Sequence, residues 1–443
     1  MARTPLMKRL LPLALAAAGL LTGANASAIG LLQAYEAALK NDPTFRADVY
    51  AAEGAKENRV LGRSNLLPSI SGSYSGNSNH TTVEQLGRKI PEDYISRSAT
   101  VQVRQSLFNL DGWARYKQGV AQSEYAEAQF ASRQQEVITR LVSAYVDALF
   151  KEDQVALAKA ERDVYVEQKK VNELLFKKGE GTRTDVLETQ SRLDLAEAQL
   201  LEAQDGLVVA RDTLGGIIGG ETAEPAPLRP GFHVAARDTL GYESWKKTAL
   251  ENNPDLLTLN KGVEIATQEY NKQRAGHAPR LDLIGTYGKT GSESLTTINQ
   301  FNTIRSVGFQ LNVPIYSGGS VNASMRQAAA GREKAKADLD AQTSKVLVEL
   351  RRNYNLVLSS IARIEALDRA VESAELLVKA TEQSIKGGVR INLDLLTAQR
   401  QLYMARRDRS EARYGYLLAS TRLRSAAGIL TPDDVRLIAA YFE

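Results

Sequence analysis

Proline is absent from residues 92–224 and again from residues 315–431. Proline removes a helical donor and clashes with the preceding turn, so each gap is a place where helices can run unbroken. Both gaps carry a seven-residue apolar repeat. In the first, Val186, Leu193, Leu200, Leu207 and Leu214 recur at that interval, with Ala196, Ala203 and Ala210 three places behind. In the second, Leu395, Leu402, Tyr416 and Leu423 do the same, interrupted by Arg409, and Ala398, Ala405, Ala412, Ala419 and Ala426 follow. A sustained repeat of seven winds packed helices into a left-handed supercoil. Alanine at the second seam position lets them pack closely. Two helical hairpins result: residues 113–214, turning at Lys178, Gly179, Glu180, Gly181 and Thr182, and residues 323–423, turning at Gly387, Gly388, Val389, Arg390, Ile391 and Asn392. A helix over 113–177 spans roughly 100 Å, more than an ordinary globular domain, so this chain bridges distance.

The first residues hold Arg3, Lys8 and Arg9, a short apolar run and the small residues Ala24, Ala26 and Ala28. That pattern predicts a secretory signal peptide over 1–28, because the apolar run is too short for the ~20 residues of a membrane-spanning helix. Its removal takes three positive charges and no negative ones from a formal net charge of +4, leaving +1. Charge therefore gives no argument for nucleic acid. Cysteine is absent, which excludes disulfides and a lipid-modified N-terminal cysteine. With no further apolar run of spanning length, any membrane crossing must use strands.

Landmarks repeat along the chain. Pro43 and Pro254 are 211 positions apart, as are Pro68 and Pro279, and Asp185 and Asp394 in the two turns are 209 apart. A nearly constant offset signals tandem duplication. The expected units are a first repeat over 29–214 of helix, two strands and two helices, a connector over 215–241, a second repeat over 242–428 and a tail over 429–443. Asp42 predicts a helix cap with Pro43 in the first turn. The helix that follows, to about residue 66, and the segment 182–214 together match the long helix between them, so two short helices can stack end to end beside each long one. Alternating patterns around Ile70, Gly72 and Tyr74, around Ala99, Val101 and Val103, around Leu281, Leu283 and Tyr287, and around Val307, Phe309 and Leu311 predict four strands. At about 8 to 11 residues each, they suit a tilted bilayer crossing or an ordinary sheet with one wet face. Four strands cannot close a barrel, whereas three copies supply twelve. The polar stretches 77–93 and 292–302 read as surface loops.

Chemistry-bearing residues are sparse. His80, His233 and His277 are the three histidines, none at metal-ligand spacing, and no nucleophile motif is present. The glycines at 215–220 lack the Lys-Ser/Thr ending of a phosphate loop. Neither enzyme activity nor a metal or cofactor is expected. The turns are the informative polar sites: Asp185 and Asp394 each lie six residues after a glycine, Gly179 and Gly388. Capping by Thr182 or Thr184 and by Asn392, with aspartate in the positive first turn, is one reading. A ring of carboxylates from several copies, gating through Arg183 and Arg390, is the other.

The duplicated unit, the leader and the run Gly181, Thr182, Arg183, Thr184, Asp185, Val186, Leu187 together resemble the TolC family of outer-membrane efflux and secretion ducts, over essentially the whole mature chain. The resemblance implies a mainly helical fold with a small β part: a homotrimer with a twelve-helix α-barrel continued by a twelve-stranded transmembrane β-barrel. It implies placement in the outer membrane of a Gram-negative bacterium with a long periplasmic portion, against outer-membrane lipid. The expected partners are a periplasmic adaptor and an inner-membrane ABC transporter or proton-driven pump. It implies an entrance gate at Asp185, Asp394, Arg183 and Arg390, and adaptor contacts at the turns Gly179, Gly181, Thr182, Gly387 and Gly388. Ile385 stands where the family pattern has a tyrosine, and Thr397 where it has a second aspartate. Leu31 to Tyr35 and Asn41-Asp42-Pro43 look most like the branch serving ABC-transporter type I protein secretion. Multidrug efflux is the alternative duct, and a structural periplasmic coiled coil the alternative of another class.

Overall fold

A computed structural model describes residues 28–220, 224–229, 232, 241–292 and 300–442. The expected leader, His233, part of the connector and most of the second polar stretch lie outside the described residues. The chain forms α1 (Leu31–Asn41), α2 (Pro43–Ser64), β1 (Ser69–Gln85), β2 (Arg88–Phe108), α3 (Leu110–Lys177), α4 (Arg183–Ile218), α5 (Tyr242–Asn252), α6 (Pro254–Arg274), β3 (Arg280–Ser292), β4 (Gln300–Asn312), α7 (Ser320–Lys386), α8 (Asn392–Ala426) and α9 (Pro432–Ala439). The order from α1 to α4 returns from α5 to α8. The long helices α3 and α7 have 68 and 67 residues, and α4 and α8 have 36 and 35.

Caps explain where these helices begin and end. Asn109 accepts from Gly112 N at 3.0 Å and starts α3 three residues before the expected point. Asp42 accepts from Thr44 N at 2.9 Å, and Asn253 does the same for Asp255 and Leu256 in the second copy. The α4 helix runs through Gly215 and Gly216 to Ile218, beyond the expected stop at 214. Ile217 and Ile218 are buried there, and Gly219 ends the helix in the left-handed region at φ 78°.

Near the strands, α2, α3, α6 and α7 lie side by side; toward the turns the order is α4, α3, α8, α7. Around the middle, α1, α9, residues 224–229 and Phe232 form a belt against α3, α4 and α8. Leu141, Tyr145, Leu31, Leu214 and Val435 are all buried in its core. The Tyr145 hydroxyl donates to Ile29 O at 2.9 Å and accepts from Ala226 N at 2.8 Å. The second copy adds Trp245, Ala249, Leu350, Leu423 and Ala427.

The four strands make one antiparallel sheet in the order β1-β2-β3-β4. Its register puts Ile70, Val103, Gly285 and Val307 in one row, and Ser71, Gln102, Thr286 and Ser306 in a row on the other face. The sheet therefore has an apolar and a polar side, with Ile284 on the polar one. The strands are longer than expected, at 13 to 21 residues. Stretch 77–93 is hairpin rather than loop, because Leu86 and Gly87, at φ 55° and 76°, make a two-residue turn that matches strand twist. Val83 opposite Ile90 and Glu84 opposite Lys89 support the ladder. Pro91 is tolerated because, among the described residues, β2 pairs with β3 from Ser96 onward, so no described strand draws on its other edge there. His80 accordingly sits on a strand, exposed and paired with Asp93.

Candidate functional site

The two helical hairpins end in turns built alike from backbone and unlike in side chains. Gly179 and Gly388 both occupy the left-handed region, at φ 77° and 74°, as a residue must to reverse a helix in so few steps. Gly181 is tightly packed, since a Cβ there would meet that of Leu175 at 3.1 Å and the neighbour would have to give by a few tenths of an ångström. In the first turn Thr182 caps α4: its hydroxyl oxygen accepts from Asp185 N at 3.1 Å, and Asp185 Oδ2 accepts from Thr182 N at 3.0 Å. Thr184 lies inside α4 instead of capping it. In the second turn Ile391, and not Asn392, occupies the cap position, and no side-chain bond is made there. The backbone of Asn392 is already helical, which removes it from the capping role.

Asp185 is therefore engaged by its own helix end, whereas Asp394 makes no such bond. Arg183 and Arg390 are exposed, and among the described residues neither joins an ion pair within the chain. Gly387 ends α7 at φ −83°. Ile385 is half-buried, and the exposed Thr397 donates to Leu393 O at 2.9 Å. Around both turns Leu174, Phe176, Leu187, Val389 and Ile391 are exposed. In the sequence this surface shows only as apolar side chains off the heptad seam, such as Leu187 beside Val186.

Further up, a polar junction joins the two hairpins where α3 meets α8. The Tyr414 hydroxyl donates to Asp153 Oδ2 at 3.2 Å, and Tyr165 donates to Glu161 Oε1 at 3.3 Å. Burial raises both carboxyls above their ordinary range, although these hydroxyls and nearby arginines oppose it. Burial together with Glu161 pushes Tyr165 up to about 12. Beside this junction, Arg406 donates to Glu375 at 2.8 Å and Arg413 to Asp368 at 2.9 Å. Arg409, the residue that interrupts the heptad, reaches Asp368 only at 3.9 Å, and its buried Nε lacks an acceptor. Burial, and behind it the charge of Arg413, lowers its pKa. Spacing within one helix could mark Arg409, but it could not pair α3 with α8.

The geometry gives a long helical rod with a sheet at one end and two turns at the other, and no described helix is apolar enough to cross a membrane. Known proteins share this arrangement. The model of the outer membrane efflux protein family matches residues 34–220 and 245–429. The alkaline protease secretion protein AprF of Pseudomonas aeruginosa is 41% identical over 98% of this chain and 92% of its own. The proteases secretion protein PrtF of Dickeya chrysanthemi is 38% identical over 96% and 93%, and the outer membrane protein TolC of Vibrio cholerae 30% over 97% of each. The solved outer membrane protein VceC of Vibrio cholerae superposes with a TM-score of 0.77 at 18% identity, over 90% of this chain and 96% of that one. The Campylobacter jejuni CmeC outer membrane channel gives 0.79 at 15%, over 93% and 90%. With a family match on both copies of the repeated unit and relatives above 30% identity along nearly its whole length, this chain belongs to the outer membrane efflux protein family, the TolC-like channels of the Gram-negative outer membrane.

Proposed function

We propose that three copies of this chain close into a continuous tube that serves as the exit duct of a type I secretion system, with an ABC transporter and a periplasmic adaptor. The observation that carries the secreted-protein cargo is the 41% identity along 98% of the chain to a protein named for alkaline protease secretion. Closure is supported by what the single chain leaves open. β1 and β4 each have one unpaired edge, and such edges are not tolerated in lipid. Leu187, Leu201 and Val208 on α4, and Val348, Leu358 and Leu376 on α7, are exposed apolar residues on the two outermost helices of the layer. In the trimer, α7 of one copy meets α4 of the next, and β4 meets β1.

The belt of α1 and α9 then lies outside. Twelve helices roughly 10 Å across enclose a bore of about 30 Å, which three such belts would fill. Asp394 and Asp185 form the acidic lining of the entrance, with Arg390 and Arg183 as their pairing partners. The turns at Gly179, Gly181, Thr182, Gly387 and Gly388, with their exposed apolar neighbours, meet the adaptor. Asp394→Ala with Asp185→Ala is expected to raise single-channel conductance at least twofold and relieve block by divalent cations in a planar bilayer. Unchanged conductance and block would leave the two carboxylates as helix-end residues only. Cargo is tested by deleting the gene: loss of a secreted protease from the medium with unchanged drug sensitivity supports the secretion duct. The reverse result would assign the chain to small-molecule efflux; the family description names efflux without its cargo.

A further inference from the structure

Where the helices meet the strands, the ionic balance becomes strongly basic. The last turns of α2 hold Lys56, Arg59 and Arg63 against Glu57, and the first turns of α3 hold Arg115 and Lys117 against Asp111. Arg115 is taken by Asp111 at 2.8 Å, but Arg59, Arg63 and Lys117 join no ion pair with a described residue. The two helices cross closely, since a Cβ on Gly119 would stand 2.3 Å from Asn58 O and one on Gly62 2.9 Å from Arg115 O. That crossing holds Arg59 beside Tyr116 and Lys117, and the three line a groove of about 550 Å³ whose far wall carries Glu124, ion-paired with Lys261 at 2.6 Å, and Glu264, which accepts from Gln268 at 2.7 Å. On the strand side of this groove Lys117 Nζ lies 5.8 Å from the ring centre of Trp113, which is 49% exposed. Leu67, Leu107, Phe108 and Leu110 are exposed around it.

The face on which this collar lies can be read from α3 itself. Lys117, Glu124, Ala131, Ile138 and Tyr145 follow one another at intervals of seven, so in a supercoiled helix they lie in one line. Ile138 and Tyr145 are covered by the belt. Lys117 therefore lies on the belt side, which is the outer side in the proposed trimer, and the inference rests on that reading.

We infer that Arg59 and Lys117 form a binding site for the headgroup phosphate of an anionic phospholipid, phosphatidylglycerol, in the inner leaflet of the outer membrane. The acyl chains run along Trp113, Phe108 and Leu110 toward the strands. Unpaired cations beside an exposed aromatic and aliphatic band are what an anionic lipid surface recognises, and each such cation adds to membrane attraction only while no protein carboxylate neutralises it.

Tryptophan fluorescence of the full-length protein tests the site, because the second tryptophan, Trp245 on α5, is 3% exposed and packed with Leu350 and Leu423. The protein, carrying Trp245→Phe to remove that background, is reconstituted into phosphatidylethanolamine vesicles with equal amounts of brominated phosphatidylglycerol or brominated phosphatidylcholine. The expected result is quenching at least threefold steeper for phosphatidylglycerol, and Arg59→Gln with Lys117→Gln should reduce it to the phosphatidylcholine curve. Equal curves in the parent, no quenching by either lipid, or a preference unchanged in the variant would overturn the site. If the double variant fails to insert, Arg59→Gln alone and the parent comparison decide. Conductance in the same vesicles separates the two readings: channels without lipid preference sink this site and leave the duct standing.

Discussion

Asp153 is half-buried between α3 and α8, and that burial keeps its carboxyl above the usual carboxylate range. A carboxyl whose folded pKa is raised binds its proton more tightly in the native chain than in the unfolded one. Its contribution is therefore most favourable below the unfolded value and is lost as pH rises through the folded one. Asp153→Asn keeps an acceptor for Tyr414 while removing that loss. The variant should melt several degrees above the parent at pH 7 and converge with it below about pH 4, as followed by circular dichroism. At the turns, Thr182→Ala removes the cap of α4 at a cost of about 1 kcal/mol. Faster amide exchange confined to the first turn of α4 would report it. Ile391→Thr supplies α8 with the missing cap and should slow exchange there by a comparable amount.

Among the elements, the two long hairpins differ at one layer. The α3–α4 seam keeps its apolar residues from Val186 to Leu214, whereas the α7–α8 seam places Arg409 level with Asp368, between the buried Ile364 and Val371. Arg409 is half-buried and poorly partnered, and replacing such a charge by an apolar side chain removes a desolvation cost that its distant carboxylate does not offset. Arg409→Leu should accordingly raise the melting temperature; a fall would mean that the guanidinium holds α8 to its neighbours. Heptads, turns and the caps at Asp42 and Thr182 were legible because each depends on residues close in sequence, whereas the cap expected at Asn392 falls one residue early, on Ile391. The hairpin over 77–93 was not legible. Its serines, asparagines, threonines and charges show no apolar alternation, so period-two patterning could not mark it as strand. The junction of Asp153, Glu161, Tyr165 and Tyr414 was hidden for a different reason: it joins α3 to α8, more than 200 residues away.

At the scale of the whole molecule, assembly follows from uncovered apolar stripes and strand edges rather than from a single residue. Leu201→Asp with Val208→Asp should leave secondary structure unchanged and yield monomers in place of trimers by light scattering in detergent; trimers that persisted would move the interface off α4. Much of this architecture was legible from the constant offset between the two copies. Which face turns inward was not, because among the described residues it is the belt of α1, α9, residues 224–229 and Phe232 that distinguishes the two sides of the helical layer.

The pairing of the 68-residue α3 with the shorter α2 and α4 laid end to end has one more consequence. A single residue added to α3 advances the turn by about 1.5 Å and rotates it by roughly 100°, which takes every later seam residue out of its groove. Only an insertion of seven restores the facing, and it must be matched on the strand running back and in the second copy as well. The reach of this rod into the space beneath the membrane is thus graduated like a ruler, in steps of about 10 Å. A chain of this design can be lengthened for a wider compartment only by whole marks, made in all of its long elements at once.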